Sequence, residues 1–131
     1  MKTDRELELH KALHELEETQ YQYDRMERQL DSMEEDALWQ NRASKELNDD
    51  LFDSYPQDKK LQQILLEKEE LMRQKCILER DLFQECRDNI REMRKQAADK
   101  KDDFREELQR LKAENASDGG QVEDNNNTYQ A

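Results

Sequence analysis

The 131 residues carry a net charge of −12, with 43% charged and 33% hydrophobic side chains, two glycines and one proline. That profile belongs to long, surface-rich helices and leaves little material for sheets or Gly-rich ligand loops. The negative charge argues against nucleic acid and anionic membrane surfaces as partners, since both reward a positive field, and favours a partner with a basic or apolar face.

The first residues, Met1-Lys2-Thr3-Asp4-Arg5-Glu6, contain no apolar signal core. No stretch approaches the roughly 18 apolar residues that a membrane span requires, so no membrane insertion is expected. The reading places the chain in the cytoplasm, with export alongside a partner by a non-Sec route left open.

Thr3-Asp4-Arg5-Glu6 has the spacing of a capping box, in which the Thr hydroxyl and the Glu carboxylate satisfy orphan N–H groups at a helix start. Helix 1 is therefore predicted over about residues 4–53. Its apolar residues, Leu9, Leu13, Leu16, Tyr23, Met26, Leu30, Met33, Ala37, Leu47 and Leu51, are interrupted by Gln20, Asn41 and Ser44. This stripe drifts backward by about 20° per heptad, the mark of a 3.5-residue repeat and of a left-handed coiled coil.

The break falls at 53–56, where Pro56 removes a backbone donor and biases Tyr55 away from helical geometry. Asp49, Asp50 and Asp53 oppose the macrodipole at the end of helix 1, which favours a true stop over a kink. Pro56 suits the first position of a second helix, with Asp58 in its first turn. A single rod kinked at Pro56 is the alternative.

Helix 2 is predicted over about residues 57–114. Its apolar residues, among them Leu61, Ile64, Leu65, Leu71, Met72, Cys76, Leu78, Leu82, Phe83, Ile90 and Phe104, barely drift and cover about 160° of the circumference. A face wider than about 100° meets more than one neighbour, so helix 2 is expected to touch helix 1 and something else. Up to Tyr55 there are seven basic and sixteen acidic residues, against fifteen of each from Pro56 to Glu114, so antiparallel pairing gains modestly from charge. Residues 115–131 lack periodic apolar positions and read as a disordered acidic and polar tail. The fold class is thus all-α: a long antiparallel two-helix hairpin over residues 1–114.

Sites of catalysis are absent from the pattern. His10 and His14 are four apart, but His10-Lys11-Ala12-Leu13-His14 lacks the Glu of a zinc-protease helix, and two surface histidines are the better reading. The acidic stretch around Asn48 to Asp58 lacks the Gly and terminal Glu of a calcium loop. Cys76 and Cys86, about 15 Å apart along one helix, cannot bridge each other and read as small packing residues. No phosphate cradle, nucleophile elbow, metal set or cofactor is expected, and the chain reads as a non-enzymatic binding protein.

Four apolar residues lie off the expected seams. Tyr21 and Trp39 share one side of helix 1, and Leu66 and Ile77 form a small stripe nearly opposite the main face of helix 2. Exposed aromatics with apolar neighbours are typical interface anchors, although scattered surface hydrophobes occur in every protein.

The segments Glu17-Glu18-Thr19-Gln20-Tyr21-Gln22-Tyr23 and Asp58-Lys59-Lys60-Leu61-Gln62-Gln63-Ile64-Leu65, together with the run 91–112, resemble the small α-helical proteins that accompany LXG-domain toxins of the Gram-positive type VII secretion system. The likeness is one of length, pattern and texture. It implies a WXG-like helical hairpin acting as a chaperone or targeting factor for the helical N-terminal domain of a toxin, with a second small helical protein as a further partner. It also implies that the broad face of helix 2, with Leu78, Phe83 and Phe104, meets the toxin helices or the second small partner. From other classes come a structural homodimeric coiled-coil scaffold and a general chaperone of the prefoldin type.

Overall fold

The computed structural model describes the backbone of residues 3–130 and the side chains of residues 3–117, which form an antiparallel hairpin of two long helices, α1 (Asp4–Ser54) and α2 (Lys59–Gln130). No helix among the described residues is long and apolar enough to cross a membrane. Asn115, Ala116 and Ser117 continue α2 past its expected end at 114. The side chains of the rest of the tail, expected to be disordered, lie outside the described residues.

Thr3 caps α1. Its Oγ1 accepts from the Glu6 N–H at 3.2 Å, and its carbonyl accepts from Leu7 N at 3.1 Å. The Glu6 carboxylate, expected to close the capping box, is directed into the seam instead. There its residue is 4% exposed and accepts a hydrogen bond from Asn115 Nδ2. A partner on the opposite helix outcompetes the local one because position 6 faces α2.

At the other end α1 closes with Tyr55 N donating to the Leu51 carbonyl at 3.2 Å, and the chain turns through Pro56 and Gln57. Pro56 therefore sits in the turn rather than at the first position of α2. Asp58 caps α2: its Oδ1 accepts from Leu61 N at 3.0 Å and its carbonyl from Gln62 N at 2.9 Å. Aspartate is a strong N-cap, which is why the helix starts at Lys59 and not at Gln57. Gln62 Nε2 ties the turn together, donating to the carbonyls of Phe52 and Tyr55, each at 2.8 Å.

Along α1 the positions that face α2 follow an unbroken 3-4 spacing. One heptad row, d, holds Leu9, Leu16, Tyr23, Leu30, Ala37, Ser44 and Leu51, and the other, a, holds Glu6, Leu13, Gln20, Glu27, Glu34, Asn41 and Asn48; all fourteen are buried or half-buried. The expected coiled-coil period is present, but its a row is almost wholly polar. Met26, Met33 and Leu47, assigned to the seam from sequence, are instead 42%, 60% and 55% exposed. Each stands one residue before a polar a position, and one residue is a rotation of about 100° away from the partner helix.

Contacts divide the hairpin into two compact units: unit 1 (Met1–Tyr23 with Met93–Ala131) and unit 2 (Asp24–Glu92). In unit 1, Leu9, Ala97 and Leu108 are buried, flanked by half-buried Leu13, Leu16, Phe104 and Leu111. Burial of each leucine contributes about 1.5–3 kcal/mol. Arg5 forks onto Glu107 at 2.8 and 3.0 Å, and Lys101 Nζ lies 3.4 Å from Gln20 Oε1 and 3.5 Å from Glu17. The seam positions Met93, Ala97 and Lys101 are separated by two successive steps of four, a stutter that moves the repeat toward 3.6 and accounts for the small drift of α2.

In unit 2, Leu30, Leu65 and Ile90 are buried, with Met72, Phe83 and Cys86 half-buried beside them. Polar a residues are matched across the pair: Glu34 accepts from Arg87, Lys75 donates to Asn41 at 3.3 Å, and Asn48, 1% exposed, donates to the Leu65 carbonyl at 3.2 Å. A buried Asn at an a position fixes register at some cost in stability.

Candidate docking surface

Only half of the broad apolar face of α2 is used inside unit 2. Leu65, Met72, Phe83, Cys86 and Ile90 face α1, whereas Ile64, Leu71, Leu78 and Leu82 are 51%, 65%, 69% and 58% exposed. These four, with Leu61, Lys68 and Lys75, repeat the 3-4 spacing of a second heptad stripe displaced by roughly a quarter turn from the first. The width read from sequence is therefore two adjacent stripes, one filled and one open.

Across the interhelical groove stand the displaced residues of α1, Met33, Gln40 and Leu47, at the heptad row preceding the polar a positions. Gln40 lines an open groove with Leu71, Lys75, Leu78 and Leu82. Lys75 is held within the chain, its Nζ 3.4 Å from Glu79 and 3.3 Å from Asn41. The groove thus presents Leu71, Leu78 and Leu82 to solvent with the charge of Lys75 held by Glu79, while Lys68 of the same stripe is exposed.

The opposite side of unit 2 has different chemistry. Arg87 bridges Glu34 and, at 2.8 Å, Asp31, and the two carboxylates hold its guanidinium well above the ordinary arginine range. Beside it Ala37, Leu38, Cys76 and Phe83 line a shallow groove rimmed by Arg80. Farther along, Arg73 forks onto Glu70 at 2.6 and 3.0 Å and lowers the Glu70 carboxyl pKa. This side interleaves ion pairs with the exposed apolar residues Leu38, Leu66 and Ile77.

The residues singled out from sequence are dispersed over the two units. Leu78 lies in the open stripe. Trp39, 70% exposed, is on the back of α1, and Leu66 and Ile77, 54% and 38% exposed, are on the side of α2 away from the stripe. Phe83 and Phe104 are half-buried in the seams of unit 2 and unit 1 respectively, and Tyr21, 60% exposed, belongs to unit 1. Met33 and Leu47 are expected from sequence in the seam, and Ile64, Leu71 and Leu82 on the broad face of helix 2; the unbroken 3-4 spacing, carried through the polar residues instead of around them, is the signal that separates the filled stripe from the open one.

Among the described residues no three His, Cys, Asp or Glu side chains are grouped to hold a metal ion. His14 Nε2 is 3.1 Å from Glu18, and Cys76 and Cys86 are free thiols, the former exposed and the latter half-buried. No family model, curated protein or solved structure matches the chain.

Proposed function

We propose that this chain is a non-enzymatic adaptor that binds a helical segment of another protein along the open stripe of unit 2. The observation that carries the reading is the second, unfilled heptad stripe of Ile64, Leu71, Leu78 and Leu82 beside a filled one. A stripe at 3-4 spacing is shaped to receive a helix, and seating one completes a three-helix layer that the two-helix unit lacks. The resemblance to the LXG-associated helical proteins supplies a specific candidate, the helical N-terminal domain of an LXG toxin, with this chain as its chaperone or targeting factor.

Co-expression with such a domain, followed by size-exclusion chromatography and titration, tests the reading. The double variant Leu71→Glu/Leu78→Glu removes two exposed leucines, each worth about 1.5–3 kcal/mol on full burial, so binding falls by roughly a hundredfold or more while helicity by circular dichroism is unchanged. Full-strength binding by the double variant overturns the stripe as the docking surface.

A further inference from the structure

The rims of the open groove specify the charge of its occupant. Outward from the α1 edge of the groove lies the heptad row Gln29, Asp36, Ala43 and Asp50, and outward from the stripe on α2 lies Lys60, Glu67, Gln74, Asp81 and Asp88. Asp36, Asp50, Glu67 and Asp81 are all exposed, and the single basic rim residue, Lys60, stands at the turn. A helix lying in the groove has its apolar face on the leucines and its two flanks over these carboxylates.

Resting on the docking surface proposed above, we infer that the occupant is an amphipathic helix from a different protein, apolar at its a and d positions and lined with lysine or arginine on both flanks. Opposite charges along the edges of a helical seam set partner choice, while like charges oppose pairing. A second copy of this chain brings the same acidic rims and a net charge of −12, so it meets like with like. The stripe supplies the shared apolar contact, and the rims decide which helices are accepted.

The test uses the full chain and two synthetic helical peptides with the same Leu/Ile stripe, one flanked by Lys and the other by Glu. Four rim contacts make the Lys-flanked peptide bind at least about tenfold more tightly at low salt, with the ratio shrinking as salt is raised. The triple variant Asp36→Lys/Glu67→Lys/Asp81→Lys, whose changes are all on exposed positions, reverses the preference. Equal affinity for both peptides, or a preference that the triple variant leaves intact, overturns the inference and leaves the stripe as a docking surface. Failure of both peptides to bind overturns the inference and the docking surface together. Sedimentation showing a dimer that Leu71→Glu/Leu78→Glu abolishes assigns the groove to a second copy and overturns the inference.

Discussion

Unit 1 exposes two large apolar side chains among its described residues, Leu7 and Tyr21, whereas unit 2 exposes twelve. Both units place polar residues at the a positions of α1, so the difference does not lie in the seam itself. It lies one residue upstream. Before Glu6 and Gln20 in unit 1 stand Arg5 and Thr19, while before Glu27, Glu34 and Asn48 in unit 2 stand Met26, Met33 and Leu47. Unit 1 spends that row on an intramolecular ion pair, Arg5 with Glu107; unit 2 turns apolar residues outward along it and adds the open leucines of α2. The same two-helix arrangement covers most of its large apolar side chains in one unit and leaves a stripe of them open in the other.

Truncation on either side of that difference gives the largest effect. Leu9→Ala, at a position 1% exposed in unit 1, destabilises the free chain by about 2–5 kcal/mol. Leu78→Ala, at a position 69% exposed in unit 2, changes it by no more than about 0.5 kcal/mol. Urea melts followed by circular dichroism measure both, and equal costs would erase the distinction between a filled and an open stripe.

A smaller effect, of opposite sign, is expected at Asn48. Its Nδ2 donates to the Leu65 carbonyl while its Oδ1 is buried without a partner. Asn48→Leu exchanges one hydrogen bond for buried apolar surface and removes the unsatisfied oxygen, and raises stability by about 1 kcal/mol in the same melts. A loss of stability would show that the polar ladder of unit 2 contributes more than register.

The smallest effect is electrostatic. Arg5, chiefly through its hydrogen bonds, lowers the pKa of the Glu107 carboxyl in unit 1. A depressed carboxyl adds stability that is present above its unfolded value of about 4.3 and is lost as the pH falls through the folded value. Melting temperatures measured between about pH 6 and pH 3 therefore decline less steeply for Arg5→Gln than for the parent chain. Parallel curves would show that this exposed pair contributes nothing.

Much of the fold was legible because it depends on local signals. Thr3 ahead of the first helix and the Pro56 break place both helix ends near the turn and the N-terminus to within a residue or two. The 3.5-residue repeat announces the pairing, and the apolar face of α2 is visibly wider than one neighbour covers. The open stripe was less legible. Met26, Met33 and Leu47 were assigned inward because hydrophobicity outranks Glu and Asn when residues are considered one at a time. The competing fact, that Arg87 and Lys75 wait on the other helix for Glu34 and Asn41, is a property of the pair. Trp39, Leu66 and Ile77 were noticed for being off the seam, and the structure leaves them exposed on faces other than the open stripe.

By itself the sequence determined that this chain makes two helices, that the first starts just after Thr3 and breaks near Pro56, and that the second has more apolar face than a single neighbour can cover. Those properties follow from backbone capping, proline geometry and angular periodicity, all of which act within a few residues. Tertiary structure alone decided which half of that face is filled. The decision rests on matched polar partners from opposite helices, such as Asn48 with the Leu65 carbonyl, and a polar group is drawn into a seam only where its partner is already there.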